Sequence, residues 1–235
     1  MSPNLQKALD ALRSNRPAEA ERLARKEVAE RPSVIAFKAL VDACHKQGRL
    51  VALEVELNGK RKAKNLVKGV DLGWLYAKAI LMREQNGLRQ DADDVFKVIK
   101  RHQGDKDGPS LLCLGACQMV VGDLLPAREF FRRAVAAMPK AYTVRMALAM
   151  SYCSGSRGGS QPDVPEELGK ALQQVMIIID SGVKYPPALS FAGGMAETRH
   201  DYVNARKYYE QALALVDPKS KTAKFLQEAL ARIGK

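Results

Sequence analysis

The sequence predicts an all-α fold, a right-handed α-solenoid of stacked helical hairpins, and three observations carry that expectation. Hydrophobic residues make up 46% of the chain but aromatics only 6%, which suits close-packed helices better than sheets built on β-branched and aromatic side chains. The stretch LGACQMVVGDLLPAREFFRRAVAAMP, from Leu114 to Pro139, sets small residues at helical spacing where large apolar ones would be expected. The same grammar then returns further along the chain. Gly115, Ala127, Phe131 and Ala134 are separated as Gly193, Ala205, Tyr209 and Ala212 are.

The elements follow from these patterns. In the stretch from Leu114, a first helix from about Ser110 ends at Val121, before Gly122 and Asp123. A second begins near Leu125 and Pro126, where proline suits a first helical turn, and runs to Met138 before Pro139. Two such helices cannot bury both faces alone, so neighbours of similar size should stack on them. The expected repeats are 1–33, 34–70, 71–107, 108–141, 142–185 and 186–218 within one domain. The first keeps Ala8, Ala20, Ala24 and Pro32. The second has Phe37, Leu40, Cys44 and Gly48, with Leu53 and Lys60 at positions that usually carry small residues. The third has Trp74, Leu81, Ala92, Phe96 and Ile99, with one extra residue around Gln85-Asn86-Gly87. The fifth carries Leu148, Ala149 and Tyr152, then a Gly/Ser/Pro-rich inserted loop, SGSRGGSQPDVPE, then Leu168, Ala171, Val175 and Ile178. Residues 219–235 read as a final amphipathic helix that caps the last repeat.

Leu114-Gly115, Gly122, Ala127, Phe131, Ala134 and Pro139 together resemble the tetratricopeptide repeat (TPR) family. Its pattern has a Leu-Gly pair in helix A, a glycine between helices, alanines and an aromatic in helix B, and a closing proline. The small residues let helix A of one unit approach helix B, and the aromatic fills the wedge between units. The resemblance implies about six repeats and a non-enzymatic scaffold or adaptor that takes an apolar or amphipathic peptide in a concave groove. Carried onto this sequence, the groove positions are Lys38, Asp42, Leu75, Met82, Leu112, Met119, Met146 and Met150. Methionine adapts to varied apolar ligands, yet it also fills ordinary cores. Co-chaperone members of the family grip a terminal carboxylate with lysines, asparagines and an arginine. The corresponding positions here hold Leu75, Ala79, Cys113 and Ala147, so that clamp is not expected.

The net charge of +12 favours acidic partners, whether an acidic protein segment, RNA or DNA, or an anionic surface. Within NGKRKAKNLVKG, Lys60, Arg61, Lys64 and Lys68 would share one face if the segment is a single helix, forming a basic patch for phosphates or an acidic tail. The alternative is a solvated face that keeps the array soluble. No aromatics interleave for base stacking. The runner-up function is a TPR subunit of a nucleic-acid-associated complex, of the transcription-elongation or signal-recognition type, and VRMALAMSYC faintly resembles a helix in one such scaffold subunit.

Other chemistry is thin. His45, His102 and His200 fall in different repeats near helix ends and read as solvated turn residues without a nucleophile nearby. Cys113 and Cys117 have i, i+4 spacing but no further ligands to complete a zinc set. SGSRGG lacks the Gly-Lys-Ser/Thr ending of a phosphate loop. No cofactor is expected. The charged N-terminus is neither signal nor anchor, and no apolar run of about 18 residues occurs, so membrane insertion is not expected. The cysteine usage suits a reducing compartment, and the expected setting is intracellular and cytoplasmic, with a nuclear one as the alternative.

Overall fold

The computed structural model describes residues 1–61, 67–84, 92–153 and 165–234, and among them the regular elements are thirteen α-helices with no strand. They are α1 (Pro3–Arg13), α2 (Pro17–Glu30), α3 (Val34–Lys46), α4 (Leu50–Arg61), α5 (Lys68–Glu84), α6 (Ala92–His102), α7 (Gly108–Val121), α8 (Leu124–Ala137), α9 (Tyr142–Cys153), α10 (Pro165–Asp180), α11 (Pro186–Thr198), α12 (Tyr202–Leu213) and α13 (Lys221–Ile233). The inserted loop expected after Cys153 and the extra residue near Asn86 lie outside the described residues.

Local chemistry starts and stops these helices where the sequence suggests. Ser2, Ser33, Asp107, Asp201 and Ser220 each accept a hydrogen bond from a backbone N–H three residues on, filling an otherwise orphaned first-turn donor. Proline occupies the first turn of α1, α2, α7 and α11, where its missing N–H costs nothing. Helix α7 closes on Gly122 at φ 90°, a left-handed geometry that a side chain resists.

The helices fall into two compact units, Met1–Ala137 and Met138–Lys235. The first holds α1 to α8 as successive hairpins, each with an odd-numbered A helix and an even-numbered B helix. Within it α3, α5 and α7 lie side by side, and α3 reaches past α5 to touch α7. The second holds the hairpins α9–α10 and α11–α12, with α13 packed on α12 through Ala223, Leu226 and Ala229. The final helix therefore caps its hairpin as the sequence predicts.

The small residues are spacing devices, and their geometry can be read directly. A Cβ on Gly115 would sit 2.7 Å from two ring carbons of Phe131. One on Gly193 would sit 2.6 Å from the Tyr209 ring. Each aromatic is fully buried by resting on bare helix backbone, and burying it stabilises its hairpin by roughly 1.5–3 kcal/mol. The third hairpin uses a variant that the repeat pattern conceals. There Gly69 and Gly73, one turn apart on α5, lie against Phe37 of the preceding A helix, where added Cβ atoms would approach to 2.6 and 2.9 Å. This close approach accompanies a helix α5 that begins at Lys68 rather than near Asp71.

Candidate functional site

Three stripes of half-buried residues on neighbouring A helices make the candidate site in the first unit. On α3 the stripe is Ile35, Lys38, Asp42 and His45; on α5 it is Tyr76; on α7 it is Leu112, Ala116 and Met119. Their spacing along α3 and α7, three or four residues apart, keeps each stripe on one helical face. The α3 side is polar and the α7 side apolar.

The polar side is internally organised. Lys38 Nζ lies 2.7 Å from Asp42 Oδ2, one turn on, and 5.0 Å from the centre of the Tyr76 ring. The Tyr76 hydroxyl donates to the other Asp42 oxygen at 3.1 Å. Burial opposes the Lys38 charge, but the Asp42 carboxylate and Tyr76 outweigh it and hold the ammonium above its ordinary pKa. Burial and the same carboxylate push the Tyr76 hydroxyl up, so it stays a donor. At the outer end His45 Nε2 meets Glu84 Oε1 at 2.6 Å. An ammonium has three donors, and Asp42 takes one of those on Lys38. The face can therefore offer a fixed cation beside an apolar strip.

Several groove positions expected from the sequence lie elsewhere. Leu75 is fully buried, and Met82 and Met146 are 8% and 7% exposed; these three pack in the core. The reason is clearest at Leu75, where the A helices approach so closely that the Cys117 thiol reaches the Leu75 carbonyl at 3.5 Å. Buried small residues, Ala77 and Cys113 among them, permit that approach. Lys38, Asp42, Leu112 and Met119 stay on the accessible face of the first unit. Met150 is 48% exposed in the second unit. Tyr76, which joins the polar cluster, was missed because its partners lie on another helix.

The single helix expected to carry the basic patch is divided. Helix α4 ends at Arg61 and Lys68 opens α5, so they do not share a helix, and Lys64 lies outside the described residues. Each described cation has a carboxylate. Lys60 meets Glu56 at 2.7 Å, Arg61 meets Asp71 at 2.7 Å, and Lys68 meets Asp105 at 2.9 Å and Asp107 at 2.5 Å.

Asp71 is the centre of a buried polar network that the sequence did not announce. Its side chain is fully buried and meets Arg61 Nε at 2.7 Å, Arg101 Nη1 at 2.7 Å and His102 Nε2 at 2.9 Å. Burial alone would push its carboxyl up, but hydrogen bonds from His102, Arg61 and Arg101 hold it down at about 2. The Arg61 guanidinium also stacks 3.6 Å over the Trp74 ring, whose N–H donates to Glu54 at 2.7 Å. His102 is thus a buried member of the network rather than a solvated turn residue, because the turn after α6 folds Asp105 back onto its second nitrogen at 3.2 Å. His200 remains exposed at φ 59° and contacts the Tyr202 hydroxyl at 2.9 Å.

None of the four cysteines forms a disulfide, and burial pushes the Cys113 thiol up to about 12 and that of Cys117 well above its ordinary value. Among the described residues no three His, Cys, Asp or Glu side chains gather as a metal would require, and no helix is long and apolar enough to cross a membrane.

No protein-family model and no curated protein matches the chain. Solved structures do. A tetratricopeptide repeat protein from Parabacteroides merdae is similar with a TM-score of 0.50 at 10% identity, over 99% of this chain and 98% of that one. PilW, a widely conserved type IV pilus biogenesis factor, gives 0.59 at 14% identity, over 95% and 96%. The apo form of the quorum sensor NprR from B. thuringiensis gives 0.58 at 18% identity, over 98% of this chain and 69% of that one. At such identities the likeness is one of fold, and the fold is a TPR-like helical repeat.

Proposed function

We propose that this TPR-like array is a non-enzymatic adaptor that binds a segment of another protein on the A-helix face of its first unit. The observation that supports this most is the pairing of a fixed polar cluster, Lys38–Asp42–Tyr76, with the half-buried apolar strip Leu112–Ala116–Met119. A face polar along one edge and apolar along the other suits an amphipathic peptide. Apolar side chains would gain from leaving water against Leu112 and Met119, while a carbonyl or carboxylate of the peptide takes a remaining Lys38 donor. The structural neighbours share this fold, and folds host many functions, so the reading rests on the face itself.

The competing reading, a subunit of a nucleic-acid-associated complex using its basic surface, has less behind it. Lys60, Arg61 and Lys68 are each engaged by carboxylates, and a phosphate would have to displace those partners.

The test is affinity capture with the wild type and with the double variant Leu112→Glu, Met119→Glu, repeated with nuclease and across a salt series. Proteins retained by the wild type after both treatments and lost by the variant, with helicity unchanged by circular dichroism, support the proposal. Partners that all disappear on nuclease treatment, or that bind the variant equally, overturn it.

A further inference from the structure

We infer that the seam between the B helices α10 and α12 of the second unit is a docking groove for an amphipathic helix of a partner protein, with Asp or Glu in its first turn. The groove shares no residue with the A-helix face of the first unit and stands independently of it.

Packing leaves this seam open. Helices α10 and α12 each pack on α11 and scarcely on each other. Two crevices lie between them. The larger, of about 380 Å³, is floored by Leu189 of α11 and walled by Ile179 and Val183 at the end of α10 and by Ala214 and Leu215 at the end of α12. Val183 and Leu215 are 41% and 37% exposed there. Such a volume is at the small end of binding pockets and holds one or two large apolar side chains. The smaller crevice, of about 180 Å³, is floored by Ala192 and Met195 and walled by Leu172, Met176 and Tyr208. Where its two walls meet, the Tyr208 hydroxyl reaches the Met176 sulfur at 4.0 Å. These apolar groups line one seam instead of standing singly on the surface, which is the pattern of an interaction site.

Spacing and charge decide the occupant. The crevices are lined on α10 by Leu172 and by Ile179, and on the α12 side by Tyr208 and by Leu215, each pair seven positions apart. At 1.5 Å per residue that is about 10 Å, the rise from i to i+7 along one face of a helix. A helix also satisfies its own backbone, as a segment laid against aliphatic walls must. The larger crevice has one ionised lining residue, Lys184, which is exposed and makes no ion pair among the described residues. Asp180, Glu210 and Asp217, the acids nearest along the two walls, line neither crevice. At the smaller crevice Arg199 and Asp201 both line the wall, so their charges balance. A partner carboxylate therefore belongs at the Lys184 end, where a partner cation would meet repulsion. Asp and Glu favour the first turn of a helix, so the partner enters with its N-terminal end at Lys184 and runs antiparallel to α10 and α12. Nucleic acid fits less well, since it binds through many phosphates and this groove offers one unpaired cation at the larger crevice.

The probe is the peptide AEELAQLLQQLAQA, titrated against the whole chain by fluorescence anisotropy with a fluorescein label and by amide NMR shifts without it. Controls are the lysine counterpart AKKLAQLLQQLAQA, a counterpart with every Leu changed to Ser, oligouridine, and vesicles of phosphatidylcholine with phosphatidylserine. The expected result is saturable binding of the acidic peptide, about tenfold tighter than the lysine counterpart, with shifts at Gly182, Gln211 and Leu215 in one crevice and at Met176 and Asn204 in the other. Lys184→Glu and Leu215→Ser, both at exposed positions, should each weaken it about tenfold without loss of helicity, while the double variant Leu112→Glu, Met119→Glu should leave it unchanged. Absence of saturable binding overturns the inference. So do equal binding of the lysine or Ser counterpart, binding of oligouridine or the vesicles in place of the peptide, and shifts confined to one crevice or to α3 and α7. A chain that sediments as a dimer, and whose dimer Leu215→Ser breaks, has a second copy in the seam, and the inference fails. If Leu112→Glu, Met119→Glu alone abolishes binding, the peptide is on the A-helix face and the inference fails while that reading stands.

Discussion

Changing Asp71 to Asn keeps the size of the side chain and removes its charge from the middle of the first unit. The carboxylate is fully buried among Arg61, Arg101 and His102. Its pKa falls from an ordinary 3.8 to about 2 on folding, and that difference is worth about 2 kcal/mol in favour of the folded state at neutral pH. The substitution costs more than this, because it also strands the Arg61 guanidinium, whose side chain is only 14% exposed. Removing one member of a buried charge cluster costs about 3–5 kcal/mol. Trp74, the only tryptophan in the chain, lies under that guanidinium, so urea unfolding followed by its fluorescence reports on this unit. The sign of the pH effect is fixed by the lowered pKa. The stabilisation is complete above the unfolded value near 4 and disappears as pH falls towards 2. Wild type should accordingly lose about 2 kcal/mol of its advantage over Asp71→Asn across that acid window. A neutral-pH difference below about 1 kcal/mol, or one that persists unchanged at pH 2, would refute the reasoning.

Three further outcomes are expected. Gly115→Ala should destabilise the first unit by roughly 1–3 kcal/mol, since its Cβ meets the Phe131 ring at 2.7 Å; calorimetry checks this, and pairing it with Phe131→Leu should cost less than the two singles summed. Leu226→Ala, which opens a hole under α13, should cost about 2–5 kcal/mol, whereas Arg232→Ala breaks an exposed two-point contact with Glu197 and should leave thermal melting nearly unchanged. Under a thiol reagent followed by mass spectrometry, partly exposed Cys153 should label first, while Cys113 and Cys117, buried with thiols pushed up, should label only as the unit unfolds.

What could be read from the sequence is what repeats or what is local. Gly115 and Gly193 with their aromatic partners were visible because two copies share one spacing; the caps at Ser33, Asp107 and Ser220, though signals within one turn, went unread. The Asp71 network was invisible because its members lie between ten and about thirty positions away on other helices, and no helical period links them. The same blindness made Lys60, Arg61 and Lys68 look like a free basic face, since a single-helix view cannot show the carboxylates of neighbouring helices. Leu75, Met82 and Met146 are buried because of the helices packed around them, and the period of a single helix does not show its neighbours. Gly69 and Gly73 went unread because their partner, Phe37, belongs to the previous repeat.

Those two glycines also bear on the order in which the chain acquires structure. Each lowers the intrinsic helicity of α5 by about 1 kcal/mol relative to alanine, in the segment that must nucleate the third hairpin. What offsets this is the Phe37 ring, supplied by α3. Helix α5 is consequently a poor seed by itself and a good follower once α3 is in place. Repeat arrays can in general begin folding anywhere and spread both ways. Here the glycines bias that spread, so structure passes from α3 to α5 in the direction of synthesis, and an isolated fragment starting at Lys68 should be less helical than the same helix attached to its predecessor.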